Sequence, residues 1–193
     1  ELLLIGMIGD RRYERGERGG WVLGTSGLTP EIFADWGMLN ADASADGRWI
    51  AYERGHGDMR RRAYRGAANS DVWLHDTRTG EHRALTDFAG NDLDPALSPD
   101  GATVYFLSDR SYPGNESGRD LGLWRVPSAG GTPRLIHHPG GRSLRNLAVS
   151  GDGRFAVAEL DAGLVLVDLA SGAPRLLTLT GSMDPSQPEE VEV

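Results

Sequence analysis

Ser98-Pro99-Asp100-Gly101-Ala102-Thr103-Val104-Tyr105-Phe106 joins a tight-turn signal to a β-branched and aromatic run, and the chain repeats that pattern. The other copies are Ser44-Ala45-Asp46-Gly47-Arg48-Trp49-Ile50-Ala51-Tyr52 and Ser150-Gly151-Asp152-Gly153-Arg154-Phe155-Ala156-Val157-Ala158. Their second turn glycines stand at 47, 101 and 153, spacings of 54 and 52. Asp-Gly suits a tight hairpin because glycine accepts positive φ and the Asp side chain bonds to nearby backbone.

A second element keeps the same step. Asp71-Val72-Trp73-Leu74-His75-Asp76 leads through Thr79-Gly80 into Arg83-Ala84-Leu85-Thr86. Leu123-Trp124-Arg125-Val126-Pro127 leads through Gly130-Gly131 into Pro133-Arg134-Leu135-Ile136, and Leu164-Val165-Leu166-Val167-Asp168 leads through Ser171-Gly172 into Pro174-Arg175-Leu176-Leu177. A further copy starts at Trp21-Val22-Leu23-Gly24 and reaches Glu31-Ile32-Phe33; Trp21, Trp73 and Trp124 are 52 and 51 residues apart. Two independent signatures sharing one period define the repeat.

Each unit reads as four strands. Strand a ends at the Ser-x-Asp-Gly turn, strand b follows it, and strands c and d form the Trp-bearing hairpin. One such sheet cannot bury both faces alone, so the units must stack. The expected class is all-β, a partial β-propeller of about four blades, each a four-stranded antiparallel sheet. The blades are expected at about 1–36 (incomplete, lacking strand a), 37–88, 89–138 and 139–181, followed by an acidic Pro-rich linker or tail at 182–193. The chain opens inside the apolar run Leu2-Leu3-Leu4-Ile5, which reads as part of a longer polypeptide. Open propeller edges expose unpaired strands, so such a piece is expected to be marginal and prone to associate.

Composition narrows the partners. Across 193 residues, 28 acids outweigh 20 bases for a net charge of −8, which disfavours nucleic acid. All the bases are Arg. No cysteine is present, which excludes disulfides, Cys-ligated zinc and a thiol nucleophile. No apolar run reaches the roughly 20 residues that span a bilayer, so no membrane span is expected, while cytoplasm and periplasm both stay open.

The stretch Asp71–Asp76, followed by Leu85-Thr86-Asp87-Phe88-Ala89-Gly90-Asn91-Asp92, Pro95–Gly101 and Val104-Tyr105-Phe106-Leu107-Ser108-Asp109-Arg110, resembles the propeller blades of tricorn-like serine peptidases. It is also similar to TolB-type propellers and, more distantly, to WD-like repeats. Arg60-Arg61-Arg62-Ala63-Tyr64-Arg65-Gly66 and the hairpin running into a departing tail look tricorn-like. That resemblance implies a non-catalytic propeller that guides or gates peptides, with the catalytic residues in later domains of the same polypeptide. Two alternatives stay open: a TolB-like module that binds a protein partner, and the propeller of a prolyl-oligopeptidase-type hydrolase.

Within the chain no catalytic residue is assigned. The histidines are His56, His75, His82, His137 and His138, and no Gly-x-Ser-x-Gly elbow accompanies them. His75 reads as a packed or edge residue of strand c. Asn91, Asp92 and Asp94 form a small acidic group that lacks the EF-hand pattern and reads as an inter-blade loop. No metal and no cofactor are expected. The b–c connections, about Asp10–Gly19, Gly55–Ser70 and Arg110–Asp120, are long enough to carry function. Arg60, Arg61, Arg62 and Arg65 in the second are the candidate substrate-binding residues, since guanidinium grips carboxylates such as peptide C-termini bidentately. The recurring tryptophans are expected to pack between blades.

Overall fold

A computed structural model describes residues 38–55 and 63–178, and the backbone of three earlier strands. All the regular structure it describes is antiparallel strand. Those three, β1 (Leu2–Met7), β2 (Arg18–Leu23) and β3 (Glu31–Ala34), form one sheet in that order. The second sheet is β4 (Met38–Ala43), β5 (Trp49–Gly55), β6 (Ser70–Asp76) and β7 (Glu81–Ala84). The third is β8 (Asp92–Leu97), β9 (Thr103–Ser108), β10 (Gly122–Pro127) and β11 (Arg134–His137). The fourth is β12 (Leu144–Val149), β13 (Phe155–Leu160), β14 (Gly163–Asp168) and β15 (Pro174–Leu177). Each runs through its strands in chain order, so the fold is an arc of propeller blades.

The Ser-x-Asp-Gly turns are built alike. Ser98 Oγ donates to Asp100 Oδ1 at 2.6 Å, the Thr103 amide donates to Ser98 Oγ at 2.9 Å, and the Ala102 amide donates to Asp100 Oδ1 at 3.0 Å. Ser44 with Asp46 and Ser150 with Asp152 repeat this set. Gly47, Gly101 and Gly153 take φ of 69°, 68° and 68°, where a side chain would strain the backbone. A Cβ on Gly101 would also press on Trp49 of the preceding blade.

Two apolar layers hold the arc together. Ala51, Val72 and Leu74 of the second sheet meet Leu97, Val104, Phe106, Trp124 and Val126 of the third. Tyr105, Leu107 and Leu123 on the other face of the third meet Ala156, Ala158, Val165 and Val167 of the fourth. Each large side chain so buried contributes about 1.5–3 kcal/mol relative to exposure, which no isolated sheet could gain on both faces. The tryptophans are structurally equivalent: Leu4 pairs with Trp21, Tyr52 with Trp73, and Phe106 with Trp124. Trp124 lies in the layer between the second and third sheets, and Trp73 packs on Met38 and Tyr52. Among the described residues, no helix is long and apolar enough to cross a membrane.

Candidate functional site

The first strands of three successive blades, β4, β8 and β12, lie side by side. Each is interrupted by a bulge against its neighbour, between Leu39 and Ala41, Leu93 and Ala96, and Arg145 and Ala148. At each bulge stands an Asn or Asp in the left-handed region: Asn40 at φ 31°, Asp94 at 49° and Asn146 at 52°. Short polar side chains tolerate that conformation better than others. The bulges turn these groups from one blade to the next. Asn40 Nδ2 donates to Asp94 Oδ1 at 2.6 Å, and the Asn146 amide donates to Asp94 Oδ2 at 2.9 Å. In the same row the Leu97 amide donates to Asp42 Oδ2 at 2.8 Å.

These residues wall a groove of about 380 Å³ lined by Asn40, Asp42, Asp94 and Asn146, with Pro95 and Leu147 among its apolar parts. Behind it Glu53, 2% exposed, accepts from Asn40 Nδ2 at 3.2 Å and from the Asp94 amide at 3.4 Å. Burial, reinforced by the charge of Asp94, pushes the Glu53 carboxyl up to about 7 despite these bonds and one from Ser70. Burial likewise raises Asp94. Asp42, Glu53 and Asp94 are held by neutral donors, so the wall keeps a negative bias and presents hydrogen-bonding groups at a regular step. That arrangement suits polar backbone or a cationic group; none of it positions a nucleophile beside a base.

At the end of the blades that carries the b–c connections, two residues along β8 from Asp94, the charges are internally matched. Arg110 grips Asp92 through two parallel bonds of 2.7 and 2.8 Å, and its guanidinium covers the Phe88 ring at 4.6 Å. Burial drives Asp92 up to about 6 against the pull of Arg110. Asn91 accepts the Ser70 amide. Thus Asn91, Asp92 and Asp94 serve three separate protein contacts. Arg65 donates to Asp109 Oδ2 at 3.1 Å and to the carbonyls of Asp109 and Gly118 at 3.0 and 3.3 Å. Its geometry supports anchoring of the second b–c connection onto the third blade. Arg60, Arg61, Arg62 and His56 lie outside the described residues, as does 182–193. The His75 ring stacks on His82 at 4.0 Å, and the His138 ring lies 5.0 Å from Tyr112, so each packs against an aromatic neighbour.

Sequence reasoning did not find the bulge row. The signal was present: Asn40, Asp94 and Asn146 each stand seven residues before a turn glycine.

No family model matches the chain. The Tol-Pal system protein TolB of Helicobacter hepaticus is 32% identical over 126 residues, covering 60% of this chain and 27% of TolB. A putative TolB from Agrobacterium tumefaciens superposes with a TM-score of 0.65 at 21% identity, over 85% of this chain and 57% of that one. The described sheets have the β-propeller fold of these proteins. Peptidases share that fold. The tricorn protease matches with a TM-score of 0.63 at 14% identity, over 87% of this chain and 15% of its own. A prolyl endopeptidase matches at 0.58 and 16%, over 86% and 26%. An uncharacterized peptidase of Bacillus subtilis, YuxL, is 28% identical over 130 residues, covering 64% of this chain and 19% of YuxL. The chain therefore spans about a quarter or less of the curated relatives it matches.

Proposed function

We propose that this propeller is the non-catalytic, peptide-handling part of a tricorn-like serine peptidase, guiding or gating peptides toward catalytic residues carried elsewhere in the polypeptide. The observation that carries this reading is the bulge row: Asn40, Asp94 and Asn146 form a continuous hydrogen-bonded wall along a polar groove of about 380 Å³. Such a wall offers carboxylate oxygens and the exposed Asn146 side chain to an extended chain without cutting it. The likeness to YuxL and to the tricorn propeller supports peptides as the guest. Arg60, Arg61 and Arg62 are proposed to receive peptide carboxylates, on the connection whose Arg65 is fastened to Asp109.

The likeness to TolB favours a second reading, a module that docks a protein partner, with no peptide to be cleaved. The test uses the polypeptide as it is encoded. Hydrolysis of a graded series of peptides is followed in the parent, in Asn146→Ala, and in a variant with Arg60, Arg61 and Arg62 changed to Gln. The expected result is about a tenfold fall in kcat/KM for long peptides and no change for a minimal chromogenic substrate. An unchanged length profile in both variants overturns the peptide-handling reading. No hydrolysis by the parent, with stable capture of a folded protein, selects the docking reading.

A further inference from the structure

Equivalent cross-strand pairs can be read blade by blade. Leu74 faces Arg83 in the second sheet, Arg125 faces Arg134 in the third, and Leu166 faces Arg175 in the fourth. The d-strand arginine therefore recurs, whereas Arg125 departs from the repeat by taking a slot that is leucine on either side. Leu74 is 1% exposed and packs into the layer between blades, while Arg125 stands exposed. In the second sheet Arg83 reaches over and donates to the Ser128 carbonyl of the next blade. Arg134 makes no such bond. Among the described residues neither Arg125 nor Arg134 has an ion pair or side-chain hydrogen bond.

Like charges directly opposite on paired strands have Cβ atoms about 4.5–5.5 Å apart and destabilise the sheet. This pair lines a groove of about 500 Å³ with Thr103, Pro127, Gly131 and Thr132. The volume is far more than one carboxylate needs. The groove also borders β11, the outermost strand of its sheet; Gly172 of the fourth blade packs on its Ile136 carbonyl, and the exposed Arg134 end is left for an added extended segment. Two guanidinium forks side by side at one level of the sheet, next to its outer edge, fit an acidic side chain of an extended segment laid there.

We propose that Arg125 and Arg134 form a carboxylate-binding site on the outer part of the third blade, taking an extended acidic peptide along β11. The site lies at the end of the blades that carries the Asp-Gly turns, away from the bulge row. It goes beyond the peptide-handling reading and can fail without it.

Calorimetric titration of the full chain tests it with three probes. These are a short blocked peptide alternating Ala and Glu, its Ala-Gln counterpart, and the Ala-Gln peptide with a free C-terminal carboxylate. Inorganic phosphate serves as competitor. The Glu peptide is expected to bind with a salt-dependent affinity. Arg125→Leu, which restores the residue of the neighbouring blades, and Arg134→Gln are each expected to weaken it about tenfold or more. Arg78→Gln, a control on a remote turn, leaves binding unchanged. Binding of the free-terminus peptide alone assigns the same two arginines to a C-terminal carboxylate. Equal binding of Glu and blocked Gln peptides, or full binding by Arg125→Leu, overturns the site. So does displacement by phosphate at equal concentration, which reveals a simple anion hole. Thermal melting of Arg125→Leu is expected at or above the parent, because a like-charge pair is removed; a lower melting point makes Arg125 structural and also overturns the site.

Discussion

Changing Glu53 to Gln removes a charge that the fold has taken out of water and leaves the shape nearly intact. Glu53 is 2% exposed, and burial lifts its carboxyl from the ordinary 4.5 to about 7. Between these values the folded chain holds a proton that the unfolded chain has released. Its contribution to stability is therefore greatest below the ordinary value and is lost as the pH rises through about 7. At about 1.4 kcal/mol for each tenfold difference in proton affinity, the full loss is roughly 3 kcal/mol. The neutral glutamine amide keeps an oxygen for Asn40 and Asp94 and offers N–H groups to Ser70. Glu53→Gln is thus expected to gain roughly 2–3 kcal/mol over the parent near pH 8 and almost nothing near pH 4. Asp92, raised to about 6, drives stability in the same direction in both proteins and cancels from the difference. Urea denaturation followed by tryptophan fluorescence across that pH range measures the gap directly. Parallel stability curves, or a variant that is weaker at high pH, refute the claim that Glu53 is buried against its own charge.

Arg110→Ala is expected to cost about 3–5 kcal/mol at neutral pH by leaving Asp92 buried and unpaired. The penalty should shrink as the pH falls through the Asp92 titration, which the same denaturation series checks. Trp124→Ala opens the layer between the second and third blades and is expected to cost about 3–5 kcal/mol; acidic-peptide affinity measured on the fraction still folded should not change, since Trp124 is buried away from the groove.

The repeat was legible because it rests on local chemistry. Ser98, Asp100 and Gly101 form their turn from bonds within six residues, and the same bonds recur at Ser44 and Ser150. The recurrence of Trp73 and Trp124 at one strand position likewise pointed to packing between blades, where Trp124 is found. Asp94 shows the limit. By sequence it stood in an acidic group with Asn91 and Asp92, yet the backbone sends the last two toward Ser70 and Arg110 and turns Asp94 toward Asn40 and Asn146. Arg65 shows the same limit, for its carboxylate partner Asp109 belongs to another blade.

By itself the sequence determined the strand order, the Ser-x-Asp-Gly turns and the need for stacking, since each follows from residues close together in the chain. Only the tertiary structure decided which charges stay unmatched. Asp92 and Asp109 find Arg110 and Arg65, whereas Arg125 and Arg134 find each other. Pairing across strands and blades depends on register and on the bulges at Asn40, Asp94 and Asn146. One inserted residue per strand moves a side chain from one face to the other, and no local pattern records which partner will stand there.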